Sequence, residues 1–121
     1  MAFYKWADLE ADSIAPKHST ACGPTICGEQ IEVGLFRVPA NTSAKPNAHP
    51  NEQFMVVLKG RAKWTVGDEE KILGPGEVVH YPPHVLNGIE VLDEELEVID
   101  CKTVVKGRSV KHAKWEDEKG A

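Results

Sequence analysis

The feature that most constrains this chain is a pattern of period two, cut into short pieces. Segments of four to seven residues, rich in β-branched and aromatic types, alternate with Gly, Pro, Asn and Asp from residue 32 to residue 101. Glu32–Val38 is closed by Pro39-Ala40-Asn41, and Gln53–Lys59 by Gly60. Arg61–Val66 puts Ala62, Trp64 and Val66 on one face, and Gly67-Asp68 then gives a hairpin signal. Glu70–Leu73, Glu77–Tyr81, Asn87–Val91 and Glu95–Cys101 follow, separated by Gly74-Pro75-Gly76, Pro82-Pro83 and Asp93-Glu94. Side chains in a strand alternate between its two faces, so each segment reads as a half-buried strand. No stretch holds a 3.6-residue apolar period long enough for the crossover helix that parallel strands require. Roughly eight short strands with turn chemistry between them specify an all-β sandwich or barrel, and a double-sheet jelly roll best manages the exposed edges.

Length and charge narrow the classes of function. A chain of 121 residues has the size of one domain, here residues 1–121, large enough to bury a core without disulfide or metal staples. The formal net charge of -5 offers no basic field for phosphates, which argues against nucleic acid. Apolar runs are too short for a membrane-spanning helix. The start, Met1 to Asp8, has no apolar core of a secretory signal. Three cysteines, Cys22, Cys27 and Cys101, are an odd number, and together with that start they favour reduced thiols and a cytoplasmic setting. Cys22 and Cys27 lack a second close pair of ligands for a zinc clasp and read as small apolar residues of a loop and strand. Residues 3–12 read as a short helical turn ended by Pro16, and the chain past Lys106 reads as a tail.

Two segments concentrate the polar groups. Pro46-Asn47-Ala48-His49-Pro50-Asn51-Glu52-Gln53 leads into a strand, and Asn47 and His49, two apart, share a face if the chain is extended. A bend at Pro50-Asn51 returns Gln53 toward the same pocket. The second segment is Gly76-Glu77, then Pro82-Pro83-His84, then Asn87-Gly88. Together these resemble the two motifs of small single-domain cupins, over about residues 30–101. The first cupin motif is His-x-His, an acid or amide, six residues and Gly; six residues separate Gln53 from Gly60. The run His49 to Gln53 is similar to the subgroup that uses Gln in place of Glu.

The resemblance implies a double-stranded β-helix, the RmlC-like jelly-roll barrel, around a small-molecule pocket. It also implies one divalent metal, with Asn47, His49, Gln53 and Asn87 at the ligand positions. Only His49 and Gln53 match the family's ligand types. One imidazole and three amides bring no charge to offset a dication, so the expectation is a much weakened transition-metal site or none. His84 either supplies the missing imidazole from its turn or stays in solvent. His80 either enters the pocket or bonds a neighbouring strand, the ordinary fate of a packed His. His18 and His112 read as surface residues. Asn47 and Asn87 are equally at home as turn residues. Met55, Val57, Trp64 and Val66 line the pocket or belong to the core. Arg37 is either a solvated strand end or a carboxylate clamp.

The expected function is that of a cupin enzyme, of isomerase, lyase or dioxygenase type, acting on a small oxygenated organic molecule. His49 is the candidate catalytic residue, and Asn47, Gln53, Met55, Trp64, His84 and Asn87 are candidate substrate contacts. A retired pocket that only binds or senses a small molecule is the alternative. The resemblance implies a homodimer, and the aromatic start Phe3-Tyr4-Lys5-Trp6 suits burial against a partner subunit.

Overall fold

The alternating segments fold as expected into antiparallel strands, and their pairing creates two facing sheets. The computed structural model describes residues 2–9, 12–13 and 22–104. A single 3-10 turn at Trp6–Asp8 occupies the middle of the expected helical stretch, and the Pro16 stop, His18 and His112 lie outside the described residues. The strands are β1 (Asp12–Ser13), β2 (Cys22–Gly23), β3 (Thr25–Cys27), β4 (Ile31–Val38), β5 (Ser43–Asn47) and β6 (Gln53–Lys59). They continue as β7 (Ala62–Val66), β8 (Glu69–Leu73), β9 (Val78–Tyr81), β10 (Asn87–Val91) and β11 (Leu96–Thr103).

The larger sheet runs β1-β2-β4-β11-β6-β9, with β3 also on β4; the smaller runs β5-β10-β7-β8. This is the jelly roll, and four of its strands are additions to the segments read from the sequence. Three of the additions, β1 to β3, are only two or three residues long and widen the larger sheet beyond β4. The fourth, β5, contains Pro46, which a central strand would exclude; β5 lies at a sheet edge, where a missing N–H is tolerated. The barrel also extends past the expected limits of 30–101, because β3 starts at Thr25 and β11 runs on to Thr103.

The core lies between the sheets. Phe36, Val38, Val57, Leu96 and Val98 of the larger sheet meet Ala62, Trp64, Leu73 and Val91 of the smaller. Two glycines set the turns at opposite ends. Gly67, at φ 61, opens the two-residue link from β7 to β8. Gly60, at φ 79, follows β6, and a Cβ there would stand 2.4 Å from the Glu95 carbonyl oxygen.

Candidate functional site

The inner face of the larger sheet changes character along its length. At one end the inward residues are Val38, Leu96 and Val57, all apolar and buried. At the other end the register sets Glu32 beside Lys102, Lys102 beside Gln53, and Gln53 beside Tyr81. All four are buried, in a row crossing four strands. One step deeper lies Asp100, 2% exposed, between Gly34 and Met55.

Each buried polar group in this row has a partner. Lys102 Nζ lies 3.4 Å from Glu32 Oε1, with both side chains almost fully enclosed. The Gln53 amide N–H donates to the Asp100 carboxylate. The Tyr81 hydroxyl donates to Met55 Sδ at 3.9 Å. Burial pushes the Asp100 carboxyl up to about 6, against the opposing pull of Lys102 and Gln53, while Glu32 adds to the rise. Burial likewise drives the Tyr81 hydroxyl well above its ordinary range, with the Trp64 indole opposing. Removing charges from water costs several kcal/mol per ion even when they are paired, so so dense a cluster in a small domain marks a functional-site candidate.

The sequence-predicted residues come to this same end of the barrel. β5 ends there at Asn47, the loop carrying His49 crosses to Gln53 at the start of β6, and β10 begins there at Asn87. Asn47 and Asn87 are register partners, and Asn87 also faces Val66. The loop between β9 and β10 closes over the end: the His84 N–H donates to the His49 carbonyl at 2.7 Å, and the Gly67 N–H to the Leu86 carbonyl at 2.8 Å. Asn51 is buried and anchors the His49 loop by donating to the Thr103 carbonyl at 2.9 Å.

His49 itself is half-buried. Burial lowers its pKa first, and the Lys102 ammonium lowers it further; contacts with the Asn51 backbone and the Gln53 side chain pull the other way. The lowered pKa favours the neutral imidazole near pH 7, the form that can accept a proton. Met55 packs half-buried against the core, and Trp64 is 2% exposed within it. The His84 side chain is exposed, on a residue with φ 65. His80 faces outward: its Nε2 lies 2.7 Å from Glu52 Oε2, and its ring stacks on Phe54 with centroids 4.5 Å apart. Arg37 also faces outward, 3.5 Å from Glu97.

Glu32, Asp100 and Lys102 were not visible as site residues from sequence. Glu32 and Lys102 are far apart in the chain and meet only through the β4–β11 pairing. The available signal was parity: Asp100 and Lys102 continue the inward series Leu96, Val98 of one strand.

The comparisons agree with this architecture. Residues 34–100 match the family model described as a cupin domain. The chain is a cupin. It is 32% identical over 99 residues to an uncharacterized protein of Streptomyces coelicolor, covering 82% of this chain and 92% of that one. Among solved structures, it resembles an RmlC-like cupin from Shewanella frigidimarina with a TM-score of 0.77 at 18% identity, over 88% of this chain and 94% of the other. The polyketide cyclase RemF from Streptomyces resistomycificus superposes with a TM-score of 0.72 at 18% identity, over 85% of this chain and 79% of its own. Identities this low show the shared fold.

Cupins often bind a metal, and the donors of this one can be tested against that habit. No cluster of three or more His, Cys, Asp or Glu that could hold a metal ion occurs among the described residues. At the positions that the motif resemblance matches to family ligands stand one imidazole and three amides, and the Gln53 amide is already engaged with Asp100. The buried Lys102 ammonium sits next to Gln53 in the row and acts on His49. A dication would meet weak neutral donors and a repelling positive charge. These residues do not fit a tightly held transition-metal ion.

Proposed function

We propose that this cupin is an enzyme that moves a proton on a small oxygenated organic molecule at the polar end of its barrel, in the manner of an isomerase or lyase. The supporting observation is the buried row Glu32–Lys102–Gln53–Tyr81, with Asp100, set beside the half-buried His49. The neutral His49 imidazole takes a proton from carbon next to a carbonyl and returns it at the neighbouring position. The amide N–H groups of Asn47 and Asn87 donate to the oxyanion that develops, and Gln53, held by Asp100, fixes the floor. Met55, Trp64 and His84 are the proposed flanking contacts. A half-buried base works here because burial keeps it neutral to lower pH than a free imidazole.

The experiment is a panel of oxo acids, hydroxy acids and sugar acids, screened in chelator by thermal shift and then assayed for isomerisation or elimination. A hit with turnover that His49→Ala abolishes, while binding survives, supports the reading. Binding without turnover across the panel favours the alternative, a cupin that only binds or senses its ligand.

We also propose a homodimer. The outer face of the larger sheet is apolar, with register rows Leu35–Ile99–Val56–Val78 and Val33–Cys101–Phe54. Phe54 is 44% and Val78 52% exposed. A second copy of the sheet covers such a face better than water does. Light scattering on the eluted protein reads the mass directly, and a monomer at micromolar concentration contradicts the proposal.

A further inference from the structure

β6 carries an ordered series on the outer face of the larger sheet. Gln53 and Val57 are buried, and the alternation turns Phe54 and Val56 outward. A register shift opposite Glu97 leaves Leu58 and Lys59 both exposed at the strand's end. Glu52, also exposed, precedes the strand with the parity of Phe54. From one end to the other the outer series is an acid, three apolar residues and a base. Seven steps separate Glu52 from Lys59, roughly 23 Å at ~3.3 Å per residue.

The neighbouring strands widen this series into a framed patch. Val56 stands in a row with Ile99 and Val78, and Phe54 in a row with Cys101 and His80. Beyond the first row lies the charged row Arg37–Glu97–Lys59. Arg37 and Glu97 are 3.5 Å apart and offset each other, whereas Lys59 makes no ion pair among the described residues. Beyond the second row lies Glu52, whose carboxylate the His80 ring holds at the face, 2.7 Å away. Trp6, Ala7 and Leu9 line a hollow with Leu35 and Arg37, so the N-terminal turn stands over the β4 side. The β11, β6 and β9 side carries the exposed apolar surface of Phe54, Leu58 and Val78.

An apolar patch with opposite charges at its two ends is complementary to itself in one orientation. Resting on the homodimer reading above, we propose that two copies stack this face antiparallel, about a two-fold axis lying across the strands, so that Lys59 of each meets the partner's Glu52. Such an axis reverses the strand direction and keeps β6 over β6. Phe54 then lies over the partner's Val56, and the charged ends exchange. Two Lys59–Glu52 pairs form by symmetry. An axis running along β6 instead sets Lys59 against the partner's Lys59 and Glu52 against the partner's Glu52, and like charges repel. The apolar rows drive association, and the charged ends choose its direction. Packed sheets lie ~10 Å apart, a gap that lysine and glutamate side chains reach across.

The test is sedimentation equilibrium of the full chain at pH 8 and low salt, on the parent, Lys59→Glu, Glu52→Lys and the double variant. Each single reversal turns two attractive contacts per dimer into two repulsive ones and should weaken the dimer by roughly tenfold or more. The double variant puts unlike charges together again and should return to within about threefold of the parent. Losses in the single variants should shrink in concentrated salt, where the Debye length falls to ~3 Å. Lys45→Glu, on β5 of the smaller sheet, makes the same change in net charge as Lys59→Glu and should leave the dimer as it is. A parent that stays monomeric overturns this stacking and the homodimer reading together. A dimer that neither single reversal weakens, that the double variant does not restore, or that Lys45→Glu weakens equally, overturns the stacking alone.

Discussion

Asp100→Asn changes one heavy atom and removes a fully enclosed carboxylate beside the polar row. In the folded chain burial holds that carboxyl up at about 6, against its usual 3.8. Between those two values the native state binds more protons than the unfolded chain, so stability falls as pH rises. A displacement of about two pKa units corresponds to ~3 kcal/mol lost at neutral pH, of which roughly 1 kcal/mol develops between pH 5 and pH 7. The asparagine oxygen still accepts from Gln53, so the bond survives while the charge goes. Urea unfolding of both proteins at pH 5, 6 and 7 isolates the effect, because every other titrating group is common to the pair. The stability of the parent relative to the variant should drop by about 1 kcal/mol across that range. A constant difference would refute the reasoning and show that Lys102 fully compensates the Asp100 charge.

Other expectations concern the same framework. Lys102→Met leaves Glu32 and Asp100 buried without their cation and should destabilise the chain by about 3–5 kcal/mol, read by the urea midpoint. Glu32→Gln combined with Lys102→Met should recover part of that loss, since fewer buried charges then stand alone. Gly60→Ala forces a Cβ onto the Glu95 carbonyl at a φ of 79 and should lower stability by more than the ~1 kcal/mol typical of a strained Gly substitution.

Much of the architecture was legible because strands announce themselves locally. Ala62, Trp64 and Val66 share a face in the sequence, and in the structure all three turn to the core. Boundaries held to within one or two residues where Gly or Pro punctuates, as at Gly60 and Pro82. The short strands β1 to β3 carry too few residues to show a period, and Pro46 masked β5 by resembling a breaker. The site was half legible. Asn47, His49, Gln53 and Asn87 fall on positions of the two cupin motifs, so the resemblance to that family singled them out. Lys102 was lost because the strand was expected to end at Cys101, where polar residues begin. Its burial depends on Glu32, a partner 70 positions away whose register no local pattern encodes. Buried charge pairs formed across strands are properties of the fold, and sequence periodicity sees only one half of each.

The central claim is that this barrel works with an imidazole, amides and a buried ammonium where other cupins use a metal. Calorimetric titration of chelator-treated protein with Mn, Fe, Ni, Zn and Cu ions at pH 7.5 tests it most directly. The expected result is no stoichiometric binding in the sub-micromolar range for any of them. One equivalent of metal held that tightly, and lost on His49→Ala, would contradict the account.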